Sequence, residues 1–184
     1  MTIREQRNLI SGWRIAGWGA ALALVSLPLL AMQFSPNVDW TRSDFVFAAV
    51  LIGLLGAMIE FALRFRRGTG RRAGVVLFGL ASFLTVWSNA AVGIIGDEGS
   101  PVTPYFFLAV FAGLAISALF RFGARAMSIV ATGLAMAQIG LGLAATILMP
   151  GHAVEWGILA FFALMWSASA VFLGRAARSG QSEA

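Results

Sequence analysis

The sequence predicts an all-α integral membrane protein, a bundle of six transmembrane helices with both termini in the cytoplasm. Hydrophobic residues make up 59% of its 184 residues and charged residues only 11%. A typical soluble domain has about 45–50% apolar and about 25% charged residues. A chain of this length has too little interior to hide the excess. The second and third supporting observations are six successive apolar stretches and arginines confined to alternate connections between them.

Each apolar stretch approaches the roughly 20 residues that a helix needs to cross the hydrocarbon core of a bilayer. The first is longer than the apolar run of a signal peptide and no A-x-A site follows it, so we expect it to be retained. Short connections favour antiparallel hairpins, and the chain from 1 to 184 is predicted to be one domain. We expect the segment after Gly174 to fray. The predicted spans are 15–32, 45–63, 73–95, 105–120, 126–149 and 154–173.

The connections differ in composition in a regular way. Proline marks the first, third and fifth, at Pro36, Pro101 and Pro150. All thirteen basic residues are arginine, and twelve lie before the first span, in the second or fourth connection, or after the last span; Arg42 is the exception. Because short loops rich in Lys or Arg stay in the cytoplasm, both termini are predicted to be cytoplasmic. Abundant Arg, Ala and Gly without Lys suggests a GC-rich bacterial genome, hence a bacterial inner membrane.

The positive charge does not indicate nucleic-acid binding. The net charge is +5, but the arginines lie at membrane boundaries, where they meet anionic lipid headgroups, and no basic soluble domain is present. The lipid bilayer is the predicted partner, with a membrane protein or a second copy of this chain as a further possibility. Small residues at helical spacing are expected to form such helix contacts; the first and sixth spans carry Gly12, Ala16, Gly19, Ala23 and Ser26, and Ala160, Ala163, Ser167, Ala170 and Gly174.

Two spans carry polar stripes. Ser82, Thr85 and Asn89 are three and four residues apart and therefore share one helix face. The fifth span has polar residues on roughly one face. These side chains either cross-link the bundle by hydrogen bonds or line a narrow polar cavity or solute path; the sequence favours the first alternative. The residues of the fifth span are Ser128, Thr132, Gln138 and Thr146.

Glu60 is the only ionisable side chain inside a predicted span. Acidic residues in the membrane are costly and often functional. Glu60 precedes Arg64 by four residues, the favourable spacing for a helical ion pair. Two alternatives therefore stay open: a structural pair with Arg64, or a ligand for a proton or cation.

The predicted outer connections collect acidic residues and the only histidine: Asp97, Glu98, His152 and Glu155. Their spacing matches no known ligand pattern, and such clusters are usually solvated, so we predict no metal and no cofactor. The absence of cysteine excludes disulfides and thiolate sites. No G-x-S-x-G, H-E-x-x-H, phosphate loop or dinucleotide motif is present, so an enzyme is not expected, although an intramembrane lipid enzyme is not excluded.

The segment from Trp87 to Glu98 reads Trp-Ser-Asn-Ala-Ala-Val-Gly-Ile-Ile-Gly-Asp-Glu. It resembles the pattern W-x-N-x-A-V-G-I-I-G, followed by a short acidic loop, of a family of small bacterial inner-membrane proteins. The sequence departs from that pattern at Asp97, where a small residue such as serine is expected. The resemblance implies a six-helix membrane protein, implies no particular activity, and draws attention to Asn89 and Gly93.

Two functions fit these observations. One is a non-enzymatic accessory or assembly protein that binds other membrane components through small-residue faces. The other is a small permease or channel for an ion or small solute, with Glu60, Asn89 and Gln138 along its path. Transporters usually have discontinuous helices near the midplane, and no Gly/Pro break of that kind is evident, so the sequence favours the accessory protein.

Overall fold

Six α-helices and no β-strand make up the residues described by the computed structural model, which are 12–35, 38–64, 68–97 and 99–181. The prediction of an all-α fold is confirmed. Arg4, Arg7, Arg66, Arg67 and Glu98 lie outside the described residues. In chain order the helices are α1 (Gly12–Phe34), α2 (Arg42–Leu63), α3 (Thr69–Ala91), α4 (Thr103–Leu119), α5 (Ala124–Leu148) and α6 (Trp156–Gln181).

The lengths and apolar composition of these helices suit a membrane. Among the described residues, five helices are long and apolar enough to cross one. The remaining helix, α4, is also apolar but is shorter, with 17 residues. At about 1.5 Å per residue it is about 25 Å long, slightly less than the roughly 30 Å hydrocarbon core, a mismatch that local thinning of the bilayer accommodates. The chain is a multi-pass membrane protein.

The helix bounds lie within four residues of the prediction except at the end of α6, and the ends of α3 and α6 differ for clear physical reasons. Helix α3 ends at Ala91 instead of residue 95, because Gly93 has a φ of +74° and cannot continue a helix. Helix α6 continues to Gln181, so the predicted fraying is wrong for residues 175–181, and the rest of that segment lies outside the described residues. Its last turn contains Arg178, and a cation there interacts favourably with the negative end of the helix dipole.

The described chain divides after residue 57, within α2, into two compact units; the single-domain assignment stays a prediction. In the first unit, Thr41 and Asp44 form a capping box at the start of α2: the Thr41 N–H donates to Asp44 Oδ2 (2.7 Å), and the Asp44 N–H to Thr41 Oγ1 (3.4 Å). Trp40 packs on Phe45 at 5.2 Å between ring centroids. This pair is a hydrophobic staple, which fixes how the chain enters the helix.

In the second unit, α3, α4, α5 and α6 form a closed four-helix ring. Each helix packs on its neighbour in sequence, and α6 packs back on α3. The prediction that sequence neighbours form hairpins is confirmed for these helices. Interhelical hydrogen bonds run from Ser169 Oγ to the Gly74 carbonyl (2.9 Å) and from Ser128 Oγ to the Ala170 carbonyl (2.8 Å).

Glycines on α3 and α5 permit the closest helix contacts in this ring. A Cβ built on Gly74 would lie 2.6 Å from Leu173, and one on Gly142 would lie 2.5 Å from Leu159. The small-residue stripe predicted for α6 is therefore only partly right. The buried face of α6 carries large residues that pack onto these glycines, whereas Ala160 and Ser167 are exposed.

An apolar loop covers one end of the ring. We call this the 92–102 end, where α3 and α5 end and α4 and α6 begin; the opposite end is the 120–123 end. Ile94 and Ile95 are 2% and 0% exposed although they lie outside any helix. They belong to a core cluster with Val102, Phe106, Ala145, Met149, Leu159 and Phe162. Residues Gly93 and Gly96, both at positive φ, turn the two isoleucines inward.

Candidate functional site: a buried polar ladder in the four-helix unit

The three polar residues of α3 lie on one buried face. Ser82 is 7% exposed, and Thr85 and Asn89 are fully buried. Ser82 Oγ donates to the Phe78 carbonyl at 2.9 Å, and Asn89 Nδ2 donates to the Thr85 carbonyl at 2.8 Å. Both bonds stay within α3, so these two side chains do not cross-link the helices through them.

Several buried polar atoms of this unit have no hydrogen-bond partner among the described residues. They include Thr85 Oγ1, Asn89 Oδ1, Gln138 Nε2 and Trp166 Nε1. Gln138 is 3% exposed and Trp166 is fully buried, its ring packing edge-on against Phe78 at 5.1 Å between centroids. A buried polar atom without a partner costs about 1–3 kcal/mol, and lipid offers no hydrogen bonds in exchange.

These atoms lie at successive depths, which we call the polar ladder. At about 1.5 Å per residue, Asn89 lies about 3 Å and Thr85 about 9 Å from the end of α3. Gln138 lies about 15 Å from the end of α5, and Trp166 about 15 Å from the start of α6; both of these helix ends are at the 92–102 end. The ladder, defined as Thr85, Asn89, Gln138 and Trp166, therefore runs from the 92–102 end to about mid-depth.

The polar residues predicted to share one face of α5 do not all lie on its buried side. Gln138 is buried, but Thr132 and Thr146 are exposed. Thr132 Oγ1 donates to the Ser128 carbonyl (3.0 Å) and Thr146 Oγ1 to the Leu143 carbonyl (2.7 Å). A hydroxyl that bonds to its own helix backbone can face lipid, which explains why Thr132 and Thr146 are exposed, whereas Ser128 donates across to α6 and Gln138 is buried.

Glu60 lies away from the ladder. It is half-buried and three residues before the end of α2, on the side where a short connection leads to the start of α3. Asn89 is at the far end of α3, about 30 Å further along the helix axis. The three residues of the predicted path, Glu60, Asn89 and Gln138, thus do not form one cluster.

The predicted outer cluster is only partly assembled. Asp97 and His152 are exposed and line an open cavity of about 530 Å³ at the 92–102 end, and the exposed Glu155 is not among its lining residues. Within the described part of the chain, no three His, Asp or Glu side chains converge to hold a metal ion.

Sequence reasoning missed two hydroxyls on α4. Thr103 is 4% exposed and Ser117 fully buried, and neither hydroxyl has a partner among the described residues. Thr103 begins α4 beside the top of the ladder, whereas Ser117 lies near the 120–123 end. Ser117 is the one polar residue between positions 106 and 119, so it belongs to no repeated polar spacing, which is the signal that marks a polar helix face.

No protein-family model matches this chain, and no curated protein or solved structure matches it. The resemblance of the segment from Trp87 to Glu98 to a membrane-protein family therefore stays a prediction. The segment nevertheless has a clear structural role, since Gly93 and Gly96 set the loop that buries Ile94 and Ile95.

Proposed function

We propose that this membrane protein is a small permease or channel for an uncharged polar solute, with the polar ladder as its binding path. The observation that carries the proposal is the set of four buried polar atoms without partners in Thr85, Asn89, Gln138 and Trp166. Left without partners, four such atoms would cost the fold several kcal/mol. A solute that hydrogen-bonds to them relieves that cost, so this observation reverses the order of the two functions that the sequence favours.

The chemistry of the ladder favours a neutral solute. Asn89 offers an acceptor, Gln138 and Trp166 offer donors, and the Thr85 hydroxyl can do both. None of these side chains carries a charge to balance an ion, and Glu60 lies at the opposite end of α3. In this proposal the ladder residues bind the solute and catalyse no reaction, so the protein is not an enzyme.

Purified protein in liposomes should accelerate the entry of glycerol or urea, measured by re-swelling after an osmotic jump with sucrose as the impermeant reference. Asn89→Leu and Gln138→Leu should each return the rate to that of protein-free liposomes, because each removes one hydrogen-bonding side chain from the ladder. Thr132→Leu is the matched control on the exposed face of α5 and should keep the wild-type rate. Wild-type rates in both ladder variants would contradict the proposal.

A second candidate is the accessory or assembly protein. It is favoured by α1, whose small-residue stripe is left uncovered by the rest of its own unit: no atom lies within 4 Å of a Cβ built on Gly12 or Gly19. Small residues are what helices use to approach one another in lipid. The liposome experiment separates the candidates, since a stoichiometric membrane partner in the purified sample together with no solute entry supports the accessory protein.

The proposed location is the inner membrane of a bacterium, with both termini in the cytoplasm. The confinement of twelve of thirteen arginines to the termini and alternate connections supports this orientation. Because the chain has no cysteine, single cysteines report position without background. An impermeant maleimide should label Ala153→Cys but not Ser179→Cys in intact spheroplasts, and the reverse in inverted vesicles. Labelling of Ser179→Cys in intact spheroplasts would refute the orientation.

A further inference from the structure

We propose that the 120–123 end of the four-helix unit binds the headgroup of an anionic phospholipid. A cavity of about 740 Å³ opens there, between the start of α3, the start of α5 and the last turns of α6. This volume is in the range of small-ligand sites, about 300–1,000 Å³. The cavity shares no residue with the polar ladder, so the two proposals stand or fall separately.

Two arginines give the cavity its charge. Arg71 of α3 and Arg125 of α5 both line it, and no acidic side chain is among its lining residues. Arg71 Nη2 donates to the Phe122 carbonyl at 3.4 Å, a contact that holds the guanidinium along the cavity wall. The planar fork of N–H donors on arginine matches the oxygens of a phosphate group, so the lining selects an anion.

The start of α5 adds to this charge. Gly123 is the N-cap, and no side chain caps the helix. Gly123 and Ala124 line the cavity. The first N–H groups of a helix lack intrahelical acceptors and carry the positive end of the helix dipole. They add positive charge to the lining beside Arg125, which lies in the first turn of the same helix.

The apolar part of the lining identifies a lipid in preference to free phosphate. Phe120 and Ile129 line the cavity and are 60% and 65% exposed, and Ala177 of α6 also lines it. A soluble phosphate would use the arginines alone, whereas a phospholipid also covers these apolar side chains with its glycerol backbone and upper acyl chains. The cavity lies at helix ends, where bilayer headgroups are found, and basic pockets between helices at this level suit anionic headgroups.

Native mass spectrometry of the full chain in detergent, titrated with phosphatidylglycerol or phosphatidylcholine, tests the site. The wild type should hold one phosphatidylglycerol in preference to phosphatidylcholine. The double variant Arg71→Gln/Arg125→Gln should lose at least about tenfold in affinity, as expected when charge-assisted hydrogen bonds are removed. Arg175→Gln/Arg178→Gln removes the same charge from the same end of the molecule, outside the cavity lining, and should keep the wild-type affinity.

A second variant protects the test against misfolding of the first. Ala177→Trp keeps every charge and fills the cavity, so it should also weaken phosphatidylglycerol binding while retaining the circular dichroism and elution profile of the wild type. Equal losses in the two arginine pairs, unchanged binding in Ala177→Trp, or equal affinity for the two lipids would overturn the proposal. Displacement of the lipid by equimolar glycerol phosphate would also overturn it, because it would identify a soluble phosphate ligand.

Discussion

Trp166→Ala should lower the free energy of unfolding by about 3–5 kcal/mol, the usual cost of truncating a buried aromatic side chain. Trp166 is fully buried and packs edge-on against Phe78, so truncation leaves a cavity between α3 and α6. The interface cannot collapse to fill it, because Gly74 already brings these helices into contact at Leu173. The measurement is reversible unfolding of the purified protein in mixed micelles with increasing dodecyl sulfate.

Two further variants isolate the cause of this loss. Leu164→Ala, on the same helix, removes a side chain that is 69% exposed and should leave the midpoint almost unchanged. Trp166→Phe keeps an aromatic ring but deletes the indole N–H, which has no partner among the described residues. It should therefore cost clearly less than Trp166→Ala, because the phenyl ring fills most of the space that the alanine variant leaves empty. A loss in Trp166→Phe as large as in Trp166→Ala would show that the N–H itself stabilises the fold.

Gly93→Ala should destabilise the protein by more than about 2 kcal/mol, the upper cost of placing an L-residue in the left-handed region. At Gly93 φ is +74°, and a Cβ there would lie 2.4 Å from the carbonyl carbon and oxygen of Asp97. Relieving that overlap moves the loop that carries Ile94 and Ile95 and withdraws them from the core. The same dodecyl sulfate titration measures the loss.

Gly133→Ala provides a control of opposite sign. Gly133 lies within α5, and nothing lies within 4 Å of a Cβ built on it. Alanine favours a helix interior over glycine by about 0.5–1 kcal/mol, so this variant should be as stable as the wild type or more so. If Gly93→Ala behaved like Gly133→Ala, the loop would not have the rigid role assigned to it.

The number and type of helices could be predicted from sequence because crossing a bilayer demands long apolar stretches. The end of α3 could not, since Ile94 and Ile95 are as apolar as the span before them. They pack into the core as part of a loop, and hydrophobicity alone does not distinguish a buried loop from a helix. The signal that was available is local: Gly93 and Gly96 bracket the two isoleucines. The spacing of Thr41 and Asp44 is likewise a sequence signal for the capping box at the start of α2.

The candidate site was predicted in part, for a related reason. The spacing of Ser82, Thr85 and Asn89 found their shared face because all three are buried on one helix. The same argument held for only half of the stripe on α5. Ser128 bonds to α6 and Gln138 is buried, whereas Thr132 and Thr146 bond to their own backbone. Spacing gives the face of a side chain, but whether that face meets protein or lipid depends on how neighbouring helices pack.

The loop from Gly93 to Gly96 has a consequence for the order of assembly. Membrane helices insert first and associate afterwards. Ile94 and Ile95 gain their burial from Phe106, Leu159 and Phe162 on α4 and α6, so the loop cannot settle until the last hairpin has docked. A nascent chain that has inserted only α1 to α4 lacks Leu159 and Phe162, so it leaves the two isoleucines only partly covered until α5 and α6 have docked.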